Sequence, residues 1–133
     1  MHYIEEILEK LRDSYPAYIG RKSLNTLSTF VSGYELAVQE IMGEDTGFFF
    51  RMNVFVHQKY DTISSLSKNW VTLLTERAGS DAAAFDLFYE LWDEMKQTGY
   101  VSKQREELEK TFDAMFTAAT QTMIASQSED SEM

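Results

Sequence analysis

The stretch that decides the fold class is SDAAAFDLFYELWDEMKQTG, which covers residues 80–99. Its large apolar residues recur at spacings of three and four, which places them on one face of an α-helix. They are Phe85, Phe88, Leu91, Trp92 and Met95. The largely opposite face carries the carboxylates Asp86, Glu90, Asp93 and Glu94. Ser80 or Asp81 is a suitable N-cap and Gly99 a suitable end, so the stretch predicts an amphipathic helix.

The chain on both sides of this stretch has the same helical periodicity. One proline and six glycines in 133 residues suit helices better than a sheet. Pro16 is expected to end the first helix at or before Tyr15, because the residue before proline is pushed out of the helical region. Ser23 and Ser102 are the predicted N-caps of the second and the last helix, and Gly79 is the predicted end of the helix that starts near Leu66. The predicted helical ranges are about 2–14, 24–41, 66–77, 81–98 and 103–125.

The second predicted helix, which Gly43 should end, contains a glycine at its middle. Gly33 costs about 1 kcal/mol relative to alanine at such a position. We therefore expect a neighbouring element to approach closely there. The residues predicted to pack inward from this helix are Leu24, Leu27, Phe30, Val31, Tyr34, Val38 and Ile41. From the last helix they are Leu108, Phe112, Met115, Phe116 and Met123.

Residues 48–60 are ambiguous between helix and strand. Their apolar spacing fits a helix, whereas the aromatic and β-branched content also suits a short strand; helix is favoured. Three consecutive phenylalanines, 48–50, cannot all point inward on a helix. At least one is therefore expected to be exposed and available for an interaction.

These patterns predict an all-α protein, a single compact irregular bundle of five to six helices. The helical domain is expected to cover 1–125, and the acidic segment 126–133 is expected to be disordered. The absence of cysteine excludes disulfides and favours a reducing compartment. No apolar run approaches the roughly 20 residues that cross a bilayer, and early acids interrupt any signal-like start. We therefore expect a cytoplasmic protein.

No catalytic or metal-binding motif is evident. The two histidines, His2 and His57, have no partner at a metal-ligand or triad spacing. The sequence contains none of the usual signatures: Glu-x-x-His, HExxH, G-x-S-x-G or a phosphate-binding glycine loop. We therefore predict no enzyme, no cofactor and no metal, with His57 in a structural role. An enzyme that uses an unrecognised carboxylate pair is left open.

The net charge of −10 is unevenly distributed. Residues 1–20 carry −2, residues 21–80 balance, and residues 81–133 carry −8. A field of this sign repels nucleic acid and anionic membranes and attracts a basic protein, although it also serves solubility alone. The residues predicted to contact such a partner are Asp86, Glu90, Asp93 and Glu94, followed by Glu106, Glu107 and Glu109.

Residues 15–35 carry a family resemblance. The strings Tyr15-Pro16-Ala17-Tyr18-Ile19-Gly20 and Ser23-Leu24-Asn25-Thr26-Leu27, with Phe30 and Gly33-Tyr34-Glu35, resemble small helical bacterial immunity proteins of secreted or contact-dependent toxin systems. Trp70 and the run 84–88 with Leu91 extend the likeness over about residues 4–95. Tyr15 and Ala17 stand where the family pattern has Arg and Met.

The resemblance implies a protein that binds a cognate toxin domain, often a nuclease, in the cytosol of the producing cell and neutralises it. The acidic helical surface predicts that the toxin domain is basic. The alternative is a helical adaptor or regulator that binds a peptide or small ligand in a groove lined by Met and aromatic residues. The sequence does not determine the oligomeric state.

Overall fold

The computed structural model describes residues 2–44, 46–62 and 68–131. Within these ranges the backbone forms six α-helices and no strand. The helices are α1 (His2–Tyr18), α2 (Leu24–Met42), α3 (Phe48–Tyr60), α4 (Trp70–Ala78), α5 (Asp81–Gln97) and α6 (Arg105–Ser131). The predicted all-α bundle of five to six helices is confirmed, and the ambiguous segment 48–60 is a helix.

Most helix ends lie where the capping residues predict them. The Ser23 hydroxyl accepts a hydrogen bond from the backbone N–H of Thr26 at 3.0 Å, and the Ser80 hydroxyl accepts one from that of Ala83 at 3.1 Å. Gly43 and Gly79 end α2 and α4 with positive φ of 69° and 89°. The fourth helix starts after Asn69, and the predicted start at residue 66 lies outside the described residues.

The first helical stretch of α1 ends before Tyr15, as Pro16 predicts, but a second stretch follows it directly. The helix continues to Tyr18, but its backbone leaves the helical region at Ser14, with φ −102° and ψ 22°. Pro16 therefore lies in the first turn of a second helical stretch, where a missing N–H leaves no hydrogen bond unmade. The turn after that stretch contains Gly20, which has a φ of +82° and whose backbone N–H donates to the Tyr15 carbonyl.

The aromatic face of α5 forms the centre of the core, as predicted. All five of its large apolar residues are buried. They pack among α1, α2, α4 and the start of α3, and the residues involved are Phe48, Trp70, Phe85, Phe88 and Trp92. Contact with four other helices thus places the apolar face of α5 at the centre of the core.

None of the three consecutive phenylalanines is exposed, contrary to prediction. Phe48 is fully buried, while Phe49 and Phe50 are half-buried. Phe49 packs on Trp70 and Phe50 on Phe112, each with ring centroids 5.5 Å apart. Different faces of the first turn of α3 therefore meet different helices, which is why three adjacent rings can all find packing partners.

Two residues predicted to pack inward are exposed instead. Ile41 is 80% exposed at the end of α2, and Phe116 is 57% exposed on α6. The body of the protein covers α6 only near its start, where Leu108 and Met115 are buried. The side chain of Met123 lies outside those described.

The last helix starts later and runs further than its sequence suggests. Ser102 does not cap it, because Tyr100–Ser102 forms a separate 3-10 turn with two buried residues. The helical backbone of α6 continues to Ser131, through most of the segment 126–133. The side chains of that segment are not described, and its disorder stays a prediction.

No other described element approaches Gly33, so the predicted close approach is wrong. A Cβ built on Gly33 meets no atom of the described residues within 4 Å outside its own helical backbone. We expect Gly33→Ala to raise the free energy of unfolding by roughly 0.5–1 kcal/mol, because alanine favours the helix and restricts the unfolded chain. Urea denaturation measures this change.

The matched control for this substitution is Gly79→Ala. Gly79 has equally open surroundings but a φ of +89°. Alanine there should lower stability by roughly 1–2 kcal/mol, because the left-handed conformation is strained for a residue with a Cβ. A stability loss in Gly33→Ala would show that the glycine has a structural purpose that open space does not reveal.

No described helix is both long enough and apolar enough to span a bilayer.

Candidate partner-binding surface

The predicted acidic residues of α5 form one stripe on the outside of the bundle. This α5 stripe consists of Asp86, Glu90, Asp93 and Glu94. Three of its four carboxylates are paired with cations from other elements. The pairs are Lys22–Asp86 at 3.0 Å, Arg12–Asp93 at 2.5 Å and Lys59–Glu94 at 2.7 Å. Of these four, only Glu90 has no ion pair with a described residue, and it is exposed. The stripe therefore joins helices within the protein.

A small charge network extends the stripe towards α1. Lys96 lies 2.5 Å from the Glu9 carboxylate, which also accepts a hydrogen bond from the Trp92 indole at 3.1 Å. Partial burial raises the pKa of Glu9, but these hydrogen bonds outweigh it and leave the pKa below its usual value. The Arg12 hydrogen bond lowers the pKa of Asp93 in the same way.

The α5 stripe is almost neutral once its partners are included. With Glu9 it holds five carboxylates, and four cations lie against them: Arg12, Lys22, Lys59 and Lys96. Its net charge is therefore −1, and the remaining −9 of the chain lies elsewhere. Sequence spacing identified the acids correctly as one face, but it did not show that distant cations neutralise them.

The Arg12–Asp93 pair predicts a loss of stability in acid. Because the pKa of Asp93 is lower in the folded protein, the unfolded chain takes up its proton first as the pH falls. The stabilisation by this carboxylate is complete above about pH 3.9, the pKa of an aspartate in the unfolded chain. It disappears as the pH falls through the lower pKa that Asp93 has in the folded protein. Since Asp93 is 45% exposed, we expect less than about 1 kcal/mol.

Urea denaturation at pH 7 and pH 3 measures this contribution. Wild type should lose more stability between the two pH values than Asp93→Asn, which has no carboxylate to protonate. Equal losses in the two proteins would contradict a role for the Asp93 carboxylate in acid sensitivity.

A second feature is the α2–α6 cleft. It is open, has a volume of about 520 Å³, and is lined by Glu35, Gln39, Gly43, Glu44, Gly47, Phe50 and Arg105. The end of α2, the turn before α3 and the first residue of α6 meet there. A Cβ placed on Gly47 would lie 3.8 Å from Arg105 Nη1, which shows how closely α6 approaches the turn.

Glu35 holds one wall of the α2–α6 cleft in place. Its carboxylate accepts the backbone N–H of Phe48 at 2.9 Å and the hydroxyl of Thr46. Glu35 thereby caps α3, because the residue before this helix, Gly47, has no side chain that could do so. The predicted contact residues Glu106 and Glu107 are exposed beside Arg105, and Glu109 pairs with Arg105 at 3.2 Å.

Sequence reasoning missed this cleft. The one signal that could have identified it is the run 35–45, which holds four acids and no base. Its partner residues on α6 are about 60 positions away, so the sequence alone could not bring the two segments together.

Neither the cleft nor the stripe resembles a metal site. No group of three or more His, Cys, Asp or Glu side chains within the described ranges is arranged to hold a metal ion. His57 is buried, and its ring nitrogens bond to the Thr62 hydroxyl and the Lys68 carbonyl. No family model, curated protein or solved structure matches the chain. Its function must therefore be inferred from its own surface and charges.

Proposed function

We propose that this protein is an immunity protein that binds and neutralises a cognate bacterial toxin domain, with a basic nuclease domain as the expected class. The observation that carries the proposal is the net charge of −10, of which the internally paired α5 stripe accounts for only −1. Such an excess speeds association with a basic protein and disfavours acidic partners.

An acidic inhibitor suits a nuclease for a simple electrostatic reason. A nuclease binds phosphates through basic side chains, so its substrate surface is positively charged. A protein that presents carboxylates can occupy that surface or hold the substrate away from it. Neutralisation then requires tight binding only, with no chemistry in the inhibitor.

The residues that carry the family resemblance have scaffold roles. Pro16 and Gly20 shape the turn between α1 and α2, and Ser23 caps α2. Ser23 also donates to Asp81 at 2.5 Å and so connects the starts of α2 and α5. These contacts support a rigid body that presents a partner surface elsewhere.

The alternative adaptor function has less support. It needs a groove lined by Met and aromatic residues, but the Met and aromatic residues of α5 are buried in the core. The α2–α6 cleft is lined mainly by polar residues, with Phe50 as its single aromatic. A binding surface for a charged protein fits this lining better than a pocket for an apolar ligand.

The proposed function is tested by co-expression with the product of the gene immediately upstream. We expect a complex that co-purifies and blocks the toxin's degradation of nucleic acid. Its affinity should fall as salt rises from 0.05 to 0.5 M, because exposed charges are screened. If the two proteins do not bind, or if the toxin stays active in the complex, the proposal is wrong.

A further inference from the structure

The α2–α6 cleft carries the acidic excess that the α5 stripe lacks. The cleft and its flanks hold six carboxylates and one guanidinium, a net charge of −5. The carboxylates are Glu35, Glu40, Glu44, Glu106, Glu107 and Glu109. With Lys103 and Lys110, the nearest cations along the chain, and with Arg51, which bonds to the Lys103 carbonyl, the set still carries −2. The cleft is thus more attractive to a cation than the α5 stripe.

Exposed apolar side chains lie beside these charges. Gln39 and Gly43 of α2 line the cleft. Met42 lies one turn from Gln39 on the same side of the helix, and Leu36 lies one turn before Glu40. Both Met42 and Leu36 are 56% exposed. Apolar contacts surrounded by polar groups are the usual composition of a protein interface.

A buried arginine stabilises the shape of the cleft. Arg51 of α3 is only 6% exposed, and its Nη1 donates to the carbonyls of Tyr100 at 3.2 Å and Lys103 at 2.7 Å. These bonds fix the chain just before α6 against α3. Together with the Glu35 cap, they make the two walls of the cleft parts of one rigid body. A preformed site loses little conformational entropy on binding.

We infer that the α2–α6 cleft is the docking site for a basic segment of the protein partner, an inference that rests on the proposed function. An arginine or lysine of that segment enters the cleft between Glu40 and Glu106 on its flanks, and neighbouring apolar side chains pack on Leu36 and Met42. The charge of Arg105 does not oppose this arrangement, because Glu109 pairs with it. The α5 stripe is then a structural feature and contributes little to partner binding.

The test compares two charge-reversed double variants of equal net charge. Glu40→Lys with Glu106→Lys alters the flanks of the cleft, and Asp13→Lys with Glu90→Lys alters the region of the α5 stripe. All four side chains are exposed and have no hydrogen bond or ion pair among the described residues, so both proteins should fold. Both variants reduce long-range attraction equally, and only local contacts distinguish them.

With the co-purified partner at 0.15 M salt, we expect the cleft variant to bind at least about 100-fold more weakly than wild type, because like charges would face each other in the interface. The control variant should lose less than about 10-fold, through reduced steering alone. If the complex forms and the control variant loses as much affinity as the cleft variant, the docking site is wrong while the proposed function stands.

A peptide titration tests the docking site even if no partner co-purifies and the proposed function fails. Wild type is titrated with a hexa-arginine peptide and followed by amide NMR spectra. Shifts concentrated at Gly43, Gly47 and Arg105, and abolished in the cleft variant, support a site for basic segments. Shifts centred on Glu90, or spread evenly over the acidic surface, overturn it.

Discussion

Phe48→Ala is expected to lower the free energy of unfolding by roughly 3–5 kcal/mol, the range for removing a buried aromatic ring. Phe48 is fully buried in the first turn of α3. Its ring meets four others edge-on, with centroids 5.9 to 6.4 Å away: Phe49, Trp70, Phe88 and Trp92. Truncation leaves a cavity where α3, α4 and α5 meet, and rigid helices cannot collapse to fill it. Chemical denaturation followed by tryptophan fluorescence measures the loss.

The neighbouring phenylalanines provide matched controls for this substitution. Phe49→Ala and Phe50→Ala remove the same atoms from half-buried positions, so each should cost less than half as much. If Phe48→Ala does not fold, Phe48→Leu provides the measurement, with an expected loss of roughly 1–2 kcal/mol. Equal losses at all three positions would contradict the central position assigned to Phe48.

His57→Ala is expected to cost roughly 2–4 kcal/mol, because it removes a packed ring and two buried hydrogen bonds. His57 is 2% exposed. Its Nε2 lies 2.9 Å from the Lys68 carbonyl, and its Nδ1 lies 2.7 Å from the Thr62 hydroxyl. The ring thus connects the end of α3 to the residues just before α4. Without it, the Lys68 carbonyl loses its partner. The midpoint of urea denaturation reports the change.

Two substitutions separate the hydrogen bonds of His57 from its packing. His57→Phe keeps a ring of similar size but no nitrogen, so it should retain a loss of at least about 1 kcal/mol. His2→Ala, at an exposed position, should change stability by less than about 0.5 kcal/mol. A fully stable His57→Phe variant would show that the ring acts through packing alone.

These core substitutions also bear on the proposed function. Phe48 and His57 are both buried and lie on α3, whereas the proposed docking residues are on the exposed ends of α2 and α6. Variants that still fold should therefore bind the partner with nearly wild-type affinity, apart from the fraction unfolded. Stability and partner binding are expected to vary independently.

Features that depend on neighbouring residues could be predicted from the sequence. The three-four spacing of residues 85–95 identified the buried face of α5, and Ser23, Ser80, Gly43 and Gly79 marked helix ends correctly. Such features follow from bonds and side-chain directions within one or two turns of a helix. Pro16 also marked the end of the first helical stretch, which breaks at Ser14, but the local pattern did not predict the second stretch that continues to Tyr18.

Features that depend on distant residues could not be predicted. The sequence identified the α5 acids, but only the fold brought Arg12, Lys22 and Lys59 against them from 35 to 81 positions away.

The fold likewise gave all three phenylalanines of 48–50 packing partners, left Gly33 without a neighbour among the described residues, and joined α2 to α6 at one cleft. The physical reason is the same in each case. Periodicity determines which face of a helix is apolar, whereas the packing of helices against one another determines which charges meet and which surfaces stay open.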